Sequence, residues 1–144
     1  MKANNTIKVT FYSKSINESF ARSVVCSFAA QLDPTLEELA DIKTAVSEAV
    51  TNCIVHAYPD KVGVITLMAS ILENGKLVIK ISDKGCGIGD IKKAMEPLYT
   101  TGNPEERAGL GFAVMESFME NLHVTSRLGK GTRVTMSKTL QTKS

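Results

Sequence analysis

Two glycine-containing segments limit the possible folds and ligands of this chain more than any other feature of its sequence. Asp83, Gly85 and Gly87 follow an apolar stretch that is predicted to be a strand, and Gly109 and Gly111 are predicted to open a helix. Glycine lets backbone N–H groups approach a phosphate chain closely because it has no Cβ, and a carboxylate at a strand end can accept a hydrogen bond from an exocyclic amine. Together the two segments predict a purine-nucleotide pocket.

Neither segment is specific alone, because D-x-G-x-G more often marks an ordinary turn. The chain contains neither the P-loop spacing nor the Rossmann pattern. A third element lies upstream, where Glu48 and Asn52 are four residues apart and therefore share one helix face. An amide oxygen suits Mg²⁺, and a carboxylate one turn earlier can accept a proton. His56, near the end of the same helix, is expected to have a structural role.

Two further residues are weaker candidates for the pocket. Arg107 precedes the predicted helix start at Gly109, so its guanidinium and the helix N-terminal amides could share a terminal phosphate. The alternative is a solvated charge in a loop. Thr132 begins a predicted strand and could complete the base pocket, although threonine also simply favours β structure there.

Size and composition predict one globular domain spanning residues 1–144, with 43% hydrophobic residues. A formal net charge of +2, spread along the chain, argues against direct nucleic-acid binding. No apolar stretch approaches the roughly 20 residues that span a bilayer, so we expect a cytoplasmic protein without a membrane partner. Cys26, Cys53 and Cys86 lack metal-site spacing and are expected to be reduced thiols, the first two in the core and the third exposed beside the nucleotide.

The first half of the chain is predicted to form a strand and two helices. Apolar alternation from Ile7 to Phe11 predicts the strand, and Ser15 with Glu18 predicts a capping box for a helix that runs to about Leu32. The buried face of this helix is predicted from four-residue spacing: Ile16, Phe20, Val24 and Phe28. The second helix is predicted to be capped by Asp33 and to end before Pro59.

The second half is predicted to form two hairpins separated by a lid and a helix. Strands 64–71 and 77–82 are joined by Asn74 and Gly75, the pair favoured in a type I′ turn. The remaining predicted elements are a lid at about 90–108, a helix at 111–120 and strands at 122–126 and 132–137. The order predicts an α/β fold, a two-layer sandwich with helices on one face of a mixed, mostly antiparallel sheet.

The three motifs together resemble those of the GHKL ATPase superfamily, and the resemblance covers nearly the whole chain. Glu48-x-x-x-Asn52, Asp83-x-Gly85-x-Gly87 and Gly109-x-Gly111 occur in the order typical of that superfamily. Segments 17–22, 46–52 and 96–101 are further similar to the bacterial anti-sigma-factor serine kinases, most of all to the sporulation members.

This resemblance implies a site for ATP or ADP with Mg²⁺. It implies that Asp83 binds adenine, Asn52 holds Mg²⁺ and Glu48 acts as the catalytic base. Further nucleotide contacts implied by the resemblance are Gly85, Gly87, Ile88, Thr100, Arg107, Gly109, Leu110, Gly111 and Thr132.

The resemblance also implies protein partners. Such proteins hold a sigma factor away from RNA polymerase, phosphorylate a serine on an anti-anti-sigma antagonist and are typically homodimers, and Arg22 matches their partner-docking arginine. Two departures stand out: the lid reads Thr101-Gly102-Asn103-Pro104 where relatives tend to have Thr-Lys-Pro, and Cys53 replaces the usual alanine after Asn52.

Three alternatives remain open at this point. A stress-response anti-sigma kinase is the nearest. The ATPase half of a histidine kinase shares the nucleotide motifs, but the chain has no room for a dimerisation helix pair that carries a phosphoacceptor histidine. A module that binds ATP without phosphoryl transfer would have no need of a base at Glu48.

Overall fold

A computed structural model describes residues 2–89 and 104–140, with side chains described at 2–89 and 110–140. The elements are β1 (Ala3–Tyr12), α1 (Ile16–Ala29), α2 (Leu36–Asn52), β2 (Val64–Leu72), β3 (Lys76–Asp83), α3 (Pro104–Phe118), β4 (Asn121–Arg127) and β5 (Gly131–Thr139). A 3₁₀ turn, Ala30–Leu32, follows α1, and a π-helical turn, Cys53–Ala57, extends α2.

The five strands form one sheet in the order β1-β2-β3-β5-β4, and all four pairings between described strands are antiparallel. Burial alternates along the central strands, so that Leu67 of β2 and Ile79 and Ile81 of β3 are fully or almost fully buried while Lys80 is exposed. The buried side of the sheet faces the helices, as the period of two requires. The predicted two-layer α/β fold is therefore confirmed, with an antiparallel sheet.

Helix α2 lies at the centre of the helical layer and contacts both α1 and α3. Its fully or almost fully buried residues recur at helical spacing: Ile42, Ala45, Val46, Ala49 and Val50. Thr35 caps it, because Glu38 N donates to Thr35 Oγ1 at 3.0 Å and Thr35 N donates to Glu38 Oε1 at 2.9 Å. The prediction that Asp33 caps this helix is wrong, since Asp33 instead takes a left-handed conformation at the end of the preceding turn.

Helix α1 differs from its prediction in cap and buried face. Ser15 is already helical in backbone conformation and its side chain makes no capping bond. Ile16 and Phe20 are 77% and 48% exposed, whereas Phe28 is buried as predicted. The other buried residues of the helix are Ala21, Val25 and Ala29. A strict four-residue spacing fails because each step turns about 40° around the helix, so a stripe of four such residues leaves the core.

The turn between β2 and β3 is not of type I′. That turn requires positive φ at both central residues, but among these residues only Gly75 has it, at 80°. Gly75 N donates to Leu72 O at 3.0 Å, which gives a three-residue loop that ends in a left-handed glycine. The hairpin itself, and its antiparallel pairing, are as predicted.

Helix α3 begins at Pro104, earlier than the predicted start near Gly111. Pro104 suits the first helical position, because a backbone N–H would have no partner within the helix there. Gly109 and Gly111 therefore lie inside the helix, and the prediction that they open it is wrong. Arg107 lies in the first turn of the helix and not before its start. Residues 104–108 of the predicted lid belong to this helix, and its remainder, 90–103 with Thr100, lies outside the described residues.

Candidate nucleotide site

A cavity of about 280 Å³ opens between the π-helical turn, the end of β3, the start of β5 and α3. It is lined by Ala49, Asn52, Cys53, His56, Ala57, Asp83, Cys86, Gly87, Ile88, Phe112, Leu128, Thr132 and Val134. Its volume is close to the lower end of ligand pockets, roughly 300 Å³, and its walls are mainly apolar with a few polar groups. Such a cavity suits a flat aromatic base.

Asp83 supplies the carboxylate of this cavity and is itself 9% exposed. Its Oδ1 accepts hydrogen bonds from Gly85 N at 2.9 Å and Thr132 N at 3.2 Å, and its Oδ2 accepts one from the Cys53 thiol at 3.4 Å. Burial raises the pKa of Asp83, and the hydrogen bonds from Gly85, Cys53 and Thr132 offset part of that rise. The carboxylate is therefore held rigidly, partly desolvated, beside an apolar chamber.

Gly85 and Gly87 are needed for backbone packing around the cavity. A Cβ on Gly85 would overlap the carbonyl oxygen of Ala57, in the π-helical turn. Gly87 has φ of 73°, and a Cβ there would overlap the carbonyl oxygen of Arg127. Gly87 lines the cavity directly, whereas Gly85 is buried behind it. These contacts fix the loop after Asp83 against both neighbouring elements.

Ser126 organises the floor of the site and was not among the predicted residues. Its Oγ accepts a hydrogen bond from Ile88 N at 2.7 Å and lies 2.7 Å from the Thr132 hydroxyl. Thr132 and Ile88, both predicted, line the cavity. The sequence of β4 contains no recognisable motif. The position of Ser126 beside Thr132 therefore follows only from the pairing of β4 with β5.

Gly111 brings the two helices of the site together. A Cβ built on it would lie 3.1 Å from both Asn52 side-chain atoms, Nδ2 and Oδ1, and 3.2 Å from Glu48 Oε2. The side chains of Glu48 and Asn52 on α2 therefore converge on the backbone of α3. This close approach, rather than a helix N-terminus, is what the second glycine motif provides in the described structure.

We expect Gly111→Ala to weaken binding of Mg²⁺-ATP several-fold without unfolding the protein. The added methyl would push on the flexible tips of Asn52 and Glu48, while alanine in a helix interior is favoured over glycine by about 1 kcal/mol. Calorimetric titration and thermal denaturation would measure the two effects. Ser117→Ala, on the exposed side of the same helix, is the control, and equal affinity in both variants would contradict the prediction.

Comparison with known proteins shows the family of this chain. The family model for a histidine kinase-like ATPase domain matches residues 14–138. The anti-sigma F factor of Caldanaerobacter subterraneus subsp. tengcongensis is 62% identical over 138 residues, 96% of this chain and 96% of that protein. The chain belongs to the anti-sigma F factor family. The anti-sigma F factor of Clostridium acetobutylicum is also similar, 56% identical over 134 residues and 93% of each chain.

Solved structures support the fold of this anti-sigma F family member. The crystal structure of the RsbU and RsbW domains of a Mycobacterium tuberculosis protein aligns with 95% of this chain at a TM-score of 0.70, with 19% identity and 33% of that longer chain covered. The histidine kinase domain of a blue-light activated histidine kinase from Erythrobacter litoralis aligns at a TM-score of 0.59 and 24% identity, covering 85% of this chain and 60% of that one. Membership in the GHKL-type ATPase family, predicted from three short motifs, is confirmed.

The structure places the remaining predicted residues unequally around the cavity. Asn52 lines it, Glu48 lies beside it at Gly111, and Leu110 is 43% exposed on α3. Arg107 and Gly109 fall where only the backbone is described. Cavity-lining residues that the sequence did not predict as nucleotide contacts include Cys53, His56, Phe112 and Leu128. Cys53 and His56 belong to the π-helical turn, a feature that is frequent at functional sites but hard to recognise from sequence.

Arg22 lies outside the nucleotide cavity, in a groove of about 420 Å³. The groove is lined by Ser15, Glu18, Arg22, Ser47, Thr51, Ile54 and Val55. Arg22 Nε is 3.0 Å from Glu18 Oε1, and the Ser47 hydroxyl donates to the same oxygen. Thr51 lines the groove and the next residue, Asn52, lines the cavity beside Asp83, so the two sites use neighbouring residues of α2.

Proposed function

We propose that this protein is an ATP-dependent anti-sigma factor of sporulation that also phosphorylates a serine of its antagonist. Its family supports the anti-sigma assignment. The observation that best supports the kinase assignment is the convergence of Glu48 and Asn52 on Gly111, next to the cavity that contains Asp83. A general base at Glu48, a metal ligand at Asn52 and a carboxylate that binds the adenine ring at Asp83 are then available along one nucleotide.

In this proposal the adenine ring lies in the apolar cavity and its exocyclic amine donates to Asp83. The Asn52 amide oxygen is a hard ligand that fits Mg²⁺, an ion that takes one or two protein ligands together with phosphate oxygens and water. Mg²⁺ would supply charge neutralisation at the phosphates. Among the described residues no group of three His, Cys, Asp or Glu side chains could hold a metal ion.

Glu48 is the proposed general base. It takes the proton of the antagonist serine as the serine Oγ attacks the γ-phosphorus, and the bond from that phosphorus to the β–γ bridging oxygen breaks. The products are phosphoserine and ADP. A positioned base contributes about 10²–10⁴-fold to such a transfer.

The partner assignments extend the same proposal. The sigma factor and the antagonist both dock at the groove around Arg22, and the protein acts as a homodimer in the cytoplasm. No helix in the described residues is long and apolar enough to cross a membrane. A stress-response anti-sigma kinase is the closest competing assignment, and the ATPase half of a histidine kinase is the next.

One experiment tests the central proposal. Purified protein, Mg²⁺ and ATP labelled at the γ-phosphate are incubated with candidate antagonists from the sporulation and stress-response systems, and the labelled residue is identified. Acid-stable label on a serine of the sporulation antagonist is the expected result. Label on histidine, label only on the stress-response antagonist, or ATP binding without transfer would each overturn the assignment.

We expect Arg22→Ala to weaken binding of the sigma factor and the antagonist by at least about tenfold, on the scale of an interface hot spot. ATP affinity should be unchanged, because Arg22 does not line the nucleotide cavity. Stability should change little, since the ion pair with Glu18 is partly exposed. Lys80→Ala, on the opposite face of the sheet, is the control, and unchanged partner binding by Arg22→Ala would contradict the docking role.

A further inference from the structure

The two oxygens of Asp83 are held differently. Oδ1 receives two backbone N–H groups, from Gly85 and Thr132, whereas Oδ2 receives the thiol of Cys53 at 3.4 Å. A carboxylate oxygen has two lone pairs, so Oδ2 can accept the thiol and still accept a second donor from the cavity. The oxygen most available to a ligand is therefore the one that Cys53 contacts.

The thiol is fixed in place by the structure around it. Cys53 begins the π-helical turn, where its carbonyl accepts a hydrogen bond from Tyr58 N at 3.2 Å. The Tyr58 hydroxyl in turn donates to Val64 O at 2.8 Å and accepts from Lys84 N at 2.7 Å, directly after Asp83. Tyr58 thus links the backbone of Cys53 to the backbone directly after Asp83. The whole Cys53 residue is only 5% exposed.

The thiol is the donor in its contact with Asp83, because an ionised carboxylate has only acceptors and the S–H group can donate. A hydrogen bond to a charged acceptor is stronger than one between neutral groups, even for a weak S–H donor. Alanine at this position would have no such donor.

We infer that Cys53 is a positioning residue for adenine recognition, holding Asp83 Oδ2 toward the cavity so that it accepts the exocyclic amine of the base. The inference rests on the proposed function, since it presupposes that ATP occupies this cavity. It assigns to Cys53 a role beyond that of a small core residue. Cys53 therefore strengthens the binding only of nucleotides that carry the exocyclic amine.

Two nucleotides and three variants test this role. ATP is compared with purine riboside 5′-triphosphate, which lacks the 6-amine, by calorimetric titration of the full chain with Mg²⁺. Cys53→Ala removes the donor, and Cys53→Ser keeps a hydroxyl donor. Cys26→Ala makes the same change at a half-buried cysteine outside the cavity lining.

We expect Cys53→Ala to weaken ATP binding about three- to tenfold, on the scale of one hydrogen bond, and to leave the amine-free nucleotide within about twofold. Cys53→Ser should recover most of the preference for ATP, and Cys26→Ala should match the wild type. Equal losses for both nucleotides, or no loss for either, would overturn the inference without contradicting the proposal that ATP binds in this cavity. A wild-type protein that binds no ATP would instead overturn the proposed function.

Discussion

Glu48→Gln should lower phosphorylation of the antagonist by about a hundredfold or more, the usual scale for a lost general base. Glutamine keeps nearly the same volume and can still accept a hydrogen bond, but it cannot usefully take the serine proton. ATP, Mg²⁺ and the sigma factor should all still bind. The variant would therefore sequester its sigma factor and be unable to inactivate the antagonist.

Single-turnover rates with saturating ATP measure this effect without interference from product release. Glu116→Gln, at an exposed position of α3, is the matched control and should keep the wild-type rate. A rate within a few-fold of wild type in Glu48→Gln would remove Glu48 as the base. Loss of ATP binding would show instead that Glu48 supports the metal site through its neighbour Asn52.

The approach of Glu48 and Asn52 to one point was predictable in part from the sequence. Their spacing of four residues places them on one face of α2, and both side chains do reach Gly111. That Glu48 and Asn52 contact the segment with Gly109 and Gly111 was predictable only from the order of the motifs. The reason for the contact was not predictable, because the sequence predicts that Gly109 and Gly111 open a helix, whereas the helix begins at Pro104.

Strand positions followed the sequence more closely than helix faces did. Alternation with a period of two is strict, so a short run such as Leu77–Ile81 determines its buried side. The stripe on α1 was misplaced because a period of 3.6 is poorly sampled by equal steps of four. The packing of α1 on α2 determines that face, and this contact is not visible in the sequence of α1 alone.

The environment of Asp83 was also beyond the sequence. A position after an apolar strand predicted the carboxylate, but its partners come from separate parts of the chain, at Cys53 and Thr132. Both partners are far from Asp83 in the sequence, and only the π-helical turn and the β3–β5 pairing bring them close to it. Short-range motifs therefore identified the ligand class, and tertiary contacts determine the geometry.

Asp83→Asn should abolish most ATP binding, with a loss of at least about 1.5 kcal/mol, slightly more than tenfold in affinity. The amide presents an NH₂ donor or a weaker neutral acceptor to the adenine amine in place of a charged oxygen. Calorimetric titration with ATP measures the loss. Asp60→Asn, in the exposed loop before β2, is the control, and unchanged ATP affinity in Asp83→Asn would remove Asp83 from the site.

The same variant should be at least as stable as the wild type at neutral pH when no nucleotide is bound. Burial raises the pKa of Asp83 in the folded protein above its value in the unfolded chain, so the folded state loses stability as pH rises through that raised pKa. Asparagine resembles the uncharged form and avoids this cost. The stability difference should therefore vanish as pH falls below the ordinary Asp pKa of about 3.9, and denaturant titrations across pH would measure it. A wild type that is more stable than Asp83→Asn at neutral pH would indicate that the bonds from Gly85, Thr132 and Cys53 outweigh the desolvation of the charge.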